Sequence, residues 1–257
     1  MTKVILHLAK GIEQNASVYY DKAKKIKKKI EGAKAALEEN LKKLAKLEKK
    51  QAKDGSKVQA EKVKRKKEWY EKFRWFYSSE GFLVIGGRDA TTNEIIIKKH
   101  TDKDDVVFHT DMAGSPFFVV KTESKDVGDD TLEETAQATA SYSRAWKLGL
   151  ATSDVFHVKP EQVSKEAKAG EFMAKGSFMI MGKTTYIHPT LEIAVGVKDN
   201  IVIGGPVNAV KSQTDKYVII KQGSLKPSDI AKKIKKRFDI GDIDDIIRML
   251  PAGGCSL

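Results

Sequence analysis

One cysteine, Cys255, in 257 residues excludes an internal disulfide framework and a Cys-rich zinc site, and it fits a reducing compartment. No apolar run approaches the ~18 residues that cross a bilayer, and the N-terminus lacks the layout of a signal peptide. The sequence therefore predicts a soluble, cytoplasmic protein with no membrane partner. Also missing are a glycine loop of the phosphate-binding type, a nucleophile with an adjacent base, and a complete set of metal ligands. His109 and Asp111 form an H-x-D pair that can supply two ligands, but His100, His157 and His188 add no second cluster with ligand spacing. No catalytic residue, metal or cofactor is expected.

Acidic excess is missing as well, and its opposite is confined to one region. The 47 basic and 35 acidic residues give a net charge of +12. Before position 81 there are 23 basic and 11 acidic residues; after it, 24 of each. All the excess lies on the N-terminal part, so a neutral body carries a basic arm. That layout suits a polyanion, nucleic acid first of all.

The arm reads as helix. Apolar residues at Ile26, Ile30, Ala33, Leu37, Leu44 and Leu47 step by three, four and seven, a coiled-coil seam with Asn40 at a weak point. Lysines fill the positions between. Asp54-Gly55-Ser56 has turn chemistry, and Ser56 can cap a second arm bearing Val58 and Val63. The expectation is an antiparallel helical hairpin over residues 1–80, with pairing between two chains, a homodimer, as the alternative. Trp69, Phe73 and Phe76 at i, i+4 and i+7 extend the helix as an aromatic face, with Lys72 and Arg74 turned elsewhere.

Residues 81–257 read as a mainly antiparallel β-sheet domain with one long helix and short C-terminal helices, an α+β class. Phe82 to Ile85 is a buried strand leading into Gly86-Gly87. EIIIKK (94–99), VVFH (106–109) and FFVVK (117–121) read as strands. The loop from Thr110 to Pro116 puts His109 and Asp111 on its lip. Thr131 to Leu148 is one helix, with Thr131 and Glu134 as a capping box and Gly149 as its stop. Phe178 to Met181 precedes a two-residue hairpin turn at Gly182-Lys183. Ser228 caps a helix that turns Ile230 and Ile234 inward and Lys232, Lys233, Lys235, Lys236 and Arg237 outward. PAGGCSL reads as a flexible tail.

Five stretches, in order, carry a resemblance: NASVYY (15–20), WYEKFRWF with GFLVIGGRDA (69–90), FHTDMAGSPFFVVK (108–121), ETAQATASYSRAW (134–146), and VKPEQVSKEAKAGEF with KGSFMIMGK (158–183). Together they resemble the NFACT family, ribosome-associated factors that act on stalled large subunits carrying peptidyl-tRNA. The spelling is closer to the archaeal and eukaryotic branch. The resemblance covers the family's middle coiled coil and its R domain, proposed to bind RNA. It implies ribosomal RNA and transfer RNA on the large subunit as partners, with ribosomal proteins or a ubiquitin-ligase-type protein as candidates for the coiled coil. The family's large N-terminal domain has no counterpart in this sequence, so it reads as a fragment or a shortened relative, and peptide tailing is not expected of it alone.

By position, the family's motifs fall on Gly87, Arg88 and Asp89, on His109, Asp111 and Gly114, and on Gln162, Ser164, Lys165 and Lys183. The resemblance then implies that Arg88, Lys121, Arg144, Lys165 and Lys183 touch phosphates. His109, Gln162 and Ser164 would reach bases or sugars, while Asp89 and Asp111 orient the cations. Two other functions compete: a protein-interaction scaffold using the coiled coil, and a nucleic-acid-processing enzyme using His109 and Asp111.

Overall fold

The computed structural model describes residues 5–7, 9, 11–54, 67–165, 176–239 and 242–257, without the side chains of 45–54. Two compact units divide between Lys66 and Lys67 rather than after residue 80. The first is dominated by one helix, α1 (Ile12–Asp54), of 43 residues. At ~1.5 Å per residue it extends about 64 Å. Its seam residues face solvent: Ile30 is 50% and Leu37 61% exposed. The second arm of the expected hairpin falls outside the described residues.

The NASVYY stretch has a local task at the start of this helix. Asn15 accepts a hydrogen bond from His7 N at 2.9 Å, and the Tyr19 hydroxyl donates to Ile5 O at 2.6 Å. Both hold the lead-in chain against the first turns of α1.

The second unit is α+β. It opens with a single 3-10 turn, Trp69–Lys72, followed at once by β1 (Arg74–Tyr77) and β2 (Leu83–Gly86). The aromatic helix expected over 69–76 is therefore corrected. Alternation explains the outcome, since Phe76 joins one core and Phe73 the other, on opposite sides of a sheet. EIIIKK is corrected too: it lies in helix α2 (Ala90–Lys99). Asp89 accepts from Thr92 N at 2.8 Å, and Thr92 Oγ1 accepts from Asp89 N at 2.9 Å. This reciprocal cap starts a helix that the β-branched isoleucines alone would not favour.

Strands β3 (Val106–Thr110) and β4 (Phe118–Lys121) complete the sheet's middle. The expected long helix is two, α3 (Asp129–Ser141) and α4 (Arg144–Leu148). Ser143 starts the second by accepting from Ala145 N at 3.1 Å, and Gly149 ends it in the left-handed region at φ 73°. The Thr131/Glu134 capping box does not form. Glu80 takes that position from outside the helix, accepting from Thr131 N at 3.1 Å, while Glu134 accepts from Ser79 N at 2.9 Å.

Then come β5 (Val155–Val158), β6 (Val163–Ser164), β7 (Met179–Ile180) and β8 (Thr185–Ile187). Strand β7 pairs with β6, whereas β8 pairs with β5, so Gly182-Lys183 is a crossing between sheets and not a hairpin turn. Next are β9 (Ile193–Lys198), β10 (Ile201–Gly205), α5 (Val207–Lys211), β11 (Tyr217–Leu225), α6 (Pro227–Phe238), α7 (Ile243–Met249) and β12 (Cys255–Ser256). Asp199 and Asn200, at φ 49° and 62°, make the two-residue turn between β9 and β10.

The larger sheet runs β1-β2-β4-β3-β5-β8 and the smaller β10-β9-β11-β12, with antiparallel neighbours throughout. One face of the larger sheet, through Phe76, Val84, Phe108 and Phe118, packs on the alanines of α3, on Ile193 and Ile220 of the smaller sheet, and on Ile230, Ile234 and Ile246. Its other face, through Ile85, Val107, Val119 and Phe156, packs on Ile96 of α2. Both faces are covered, which is why its strands are apolar without alternation.

Two expectations at the C-terminus are also corrected. Lys226, not Ser228, precedes the first turn of α6, with Pro227 opening the helix. PAGGCSL is no loose tail, because Cys255 is fully buried in β12, paired to β11.

Candidate nucleic-acid interface

The site is built from the turn after β2 upward. Gly87 donates its N–H to Phe117 O at 2.9 Å. A Cβ at Gly87 would stand 1.7 Å from Asn93 Oδ1, so only glycine lets Asn93 lie there. Asn93 is buried and accepts from Phe117 N at 3.1 Å. Its amide donates to Ser115 O at 3.4 Å. One side chain thus ties α2 to the Gly-Ser-Pro loop, where Gly114 sits at φ 87°.

Between these elements and α4 lies a cleft of about 490 Å³, whose walls include Arg74, Arg88, Asp89, His109, Tyr142, Arg144, Lys147 and Phe178. Arg88 donates to Phe73 O at 2.9 Å and to Arg248 O at 3.1 Å. Burial, and then the charge of Arg74, push its pKa down to about 10, so it stays charged at neutral pH. Arg144 and Lys147, both on α4, are exposed and make no ion pair among the described residues. Asp89 is the sole carboxylate among the described lining residues. Four cations against one anion among the described residues make this wall strongly positive within a unit whose sequence is close to neutral.

His109 is no cation here. Its ring stacks on Phe117 with centroids 4.0 Å apart, and burial pushes its pKa down to about 4. Nε2 lies 3.3 Å from Ser115 O, which places the proton on Nε2. The imidazole braces the loop as a neutral group. Among the described residues no group of three or more His, Cys, Asp or Glu is arranged to hold a metal ion.

The cleft gathers Arg88, Asp89, His109 and Arg144. Lys165 stands at its edge, donating to Ser177 O at 3.0 Å and lying 4.9 Å from the Phe178 ring. Gln162 donates to Met181 O and Lys183 O, each at 2.8 Å, so it clamps the connection between β7 and β8 rather than offering itself outward. Ser164 is the second residue of β6, and Lys183 lies exposed in the β7–β8 connection. Asp111 accepts from the Tyr186 hydroxyl at 3.1 Å. Lys121 is elsewhere: it binds Asp102 at 2.6 Å, Asp105, and His100 O at 3.1 Å. With two carboxylates on one ammonium, Lys121 is an internal strut.

Arg74 is the residue that sequence reasoning missed. On the expected helix it pointed away from the aromatic face; on a strand it shares a face with Phe76, and its guanidinium lies 4.0 Å from the Tyr142 ring. The run of strand-favouring aromatics Trp75-Phe76-Tyr77 was the signal that could have placed it. Lys147 lies one turn from Arg144 on α4.

A double-sheet module with a cation-walled cleft is of the class suited to polyanions. Residues 72–182 match the family described as NFACT protein RNA binding domain. Over 203 residues the chain is 46% identical to the archaeal Rqc2 homolog aRqcH of Methanocaldococcus jannaschii, covering 76% of this chain and 30% of that protein. It is 36% identical over 202 residues to the ribosome quality control complex subunit NEMF homolog of Drosophila melanogaster, covering 77% and 20%. For subunit NEMF of Homo sapiens the values are 38% over 177 residues, 68% and 16%. The chain belongs to the NFACT family, and it spans less than a third of the length of these relatives.

Proposed function

We propose that this chain is the RNA-binding and ribosome-binding part of a ribosome-associated quality-control factor, and that it carries out no bond chemistry of its own. The observation behind this reading is the cleft, where Arg74, Arg88, Arg144 and Lys147 face one carboxylate among the described residues inside the stretch that matches an RNA-binding family. Arg88, Arg144, Lys147, Lys165 and Lys183 contact phosphates in this reading. Phe178, half-buried on the cleft wall, offers a ring to a base. Lys121 is left out because its carboxylates already neutralise it. Ribosomal RNA and transfer RNA on the large subunit are the partners, in the cytoplasm; no helix among the described residues is long and apolar enough to cross a membrane.

A second reading has its own support. The apolar stripe of α1, exposed along Ile26, Ile30, Leu37, Leu41 and Leu44, suits a protein partner or a second copy of the chain, making α1 a docking arm. Cosedimentation with separated ribosomal subunits tests both readings. The intact chain should pellet with the large subunit, and Arg144→Ala/Lys147→Ala should release it at moderate salt. Retention by the double variant together with release on deleting residues 21–67 would assign the ribosome contact to the arm. No pelleting with either subunit would end the ribosomal reading.

A further inference from the structure

Arg74 is the side chain whose position the packing explains least. Its guanidinium lies 4.0 Å from the Tyr142 ring, and its Nη1 is shut from solvent without a hydrogen-bond acceptor. Burial holds its pKa below the usual arginine range. Arg88 stands close enough for the two charges to repel. The acceptors that Arg88 does have, Phe73 O and Arg248 O, are neutral carbonyls. The carboxylate on the cleft wall, Asp89, accepts from Thr92 at the start of α2. Two guanidiniums thus repel each other with no carboxylate ion-paired to either among the described residues, and the charge of Asp89 offsets only part of the shift at Arg88. Folds rarely hold like charges together out of water unless an anion balances them.

We propose that the cleft is a phosphate subsite, in which one phosphate group is the counter-charge for Arg74 and Arg88 and is contacted directly by Arg144 and Lys147. The cations come from three elements, β1, the β2–α2 turn and α4. Convergence from several directions suits a tetrahedral anion with oxygens on every side; a planar carboxylate presents one edge. Arg74 acts through its charge, because Nη1 itself is shielded, while the exposed Arg144 and Lys147 are free to close on the ligand. The inference deepens the RNA-binding reading by naming the group that enters the cleft. A phosphate on RNA and one on a free nucleotide share this chemistry.

The test uses the full chain with three probes: inorganic pyrophosphate, adenosine monophosphate, and a short RNA oligonucleotide with and without a 5′-phosphate. Pyrophosphate should raise the Tm of wild type and displace the labelled oligonucleotide. Arg74→Met keeps an unbranched stem over Tyr142 and removes the unpaired charge, so its Tm without ligand should stay level or rise. Its affinity for pyrophosphate should fall at least about tenfold. Unchanged pyrophosphate affinity in Arg74→Met would overturn the subsite. Should that variant fail to fold, the exposed Arg144→Ala decides, with a loss of about threefold or more expected and no loss overturning the proposal. Preference for the phosphorylated oligonucleotide assigns the phosphate to RNA; equal competition by the mononucleotide assigns it to a free nucleotide. RNA binding indifferent to pyrophosphate and to Arg74→Met sinks the subsite and spares the RNA-binding reading. Arg74-dependent pyrophosphate binding without RNA binding does the reverse.

Discussion

Helix α1 and the cleft both collect positive charge, and they do so by opposite means. On α1 the lysines stand in water, some tied to neighbours one turn away, as in Lys42 to Glu38 at 2.8 Å and Lys43 to Glu39 at 2.7 Å. Such pairs contribute about 0.3–0.5 kcal/mol each and vanish into salt. In the cleft two cations are held in place, Arg74 by burial against Tyr142 and Arg88 by two carbonyls. Many exchangeable charges give attraction without a defined pose. A few immobilised ones define where a ligand's charge must sit.

The same contrast governs stability, where the largest effect is expected. Phe118 is fully buried at the centre of the larger sheet, stacked against Tyr142 with centroids 6.1 Å apart. Phe118→Ala should cost about 3–5 kcal/mol, read as a lower urea midpoint for the sheet unit. Ile30→Ala on α1 should change stability by less than about 0.5 kcal/mol if its surroundings are water. A loss of about 2 kcal/mol or more at Ile30 would show that the apolar stripe is covered in solution, by another segment or another chain, and would remove half of the comparison.

The fold was legible where pattern and burial agreed. Leu83 to Gly86, Val106 to Thr110 and the Asp199-Asn200 turn could be read from apolar runs and turn chemistry. It was obscured where a local signal was outweighed. Three successive isoleucines argue for a strand, yet the Asp89–Thr92 cap begins a helix around Ile96. Thr131 and Glu134 have capping-box spacing, yet Ser79 and Glu80, distant in sequence, satisfy those groups. The cleft was half legible: Arg88 and Arg144 stood in recognisable motifs, but Arg74 was hidden by an aromatic spacing that suits a helix and occurs here across a turn and a strand.

An intermediate effect comes from His109, the neutral member of the cleft wall. Its pKa of about 4 in the folded protein lies below the ~6.5 of an unfolded chain. The native state therefore binds fewer protons between those values. Its contribution is full above about pH 6.5 and is lost as pH falls towards 4. The loss is on the order of 2–3 kcal/mol. His100 and His157 are lowered by burial in the same direction, so some acid sensitivity remains without His109. Denaturant unfolding from pH 7 to pH 4 should show a shallower decline for His109→Gln than for wild type. Equal slopes would mean that this imidazole titrates in contact with water.

The smallest expected effect separates the two basic regions on RNA itself. Replacing both Arg144 and Lys147 by Ala should weaken RNA binding about tenfold near 0.1 M salt and flatten the plot of log K against log salt by roughly 1–2 units, about one for each phosphate left without its cation. A matched pair on α1, Lys27→Ala/Lys28→Ala, removes the same charge from a surface crowded with other lysines. Neighbouring cations can take over the displaced phosphates, so the affinity should fall by less than about threefold. The helical content of both variants, read by circular dichroism, must match wild type for the comparison to hold. Equal losses from the two pairs would mean that RNA reads only total charge, and that the cleft confers no defined site.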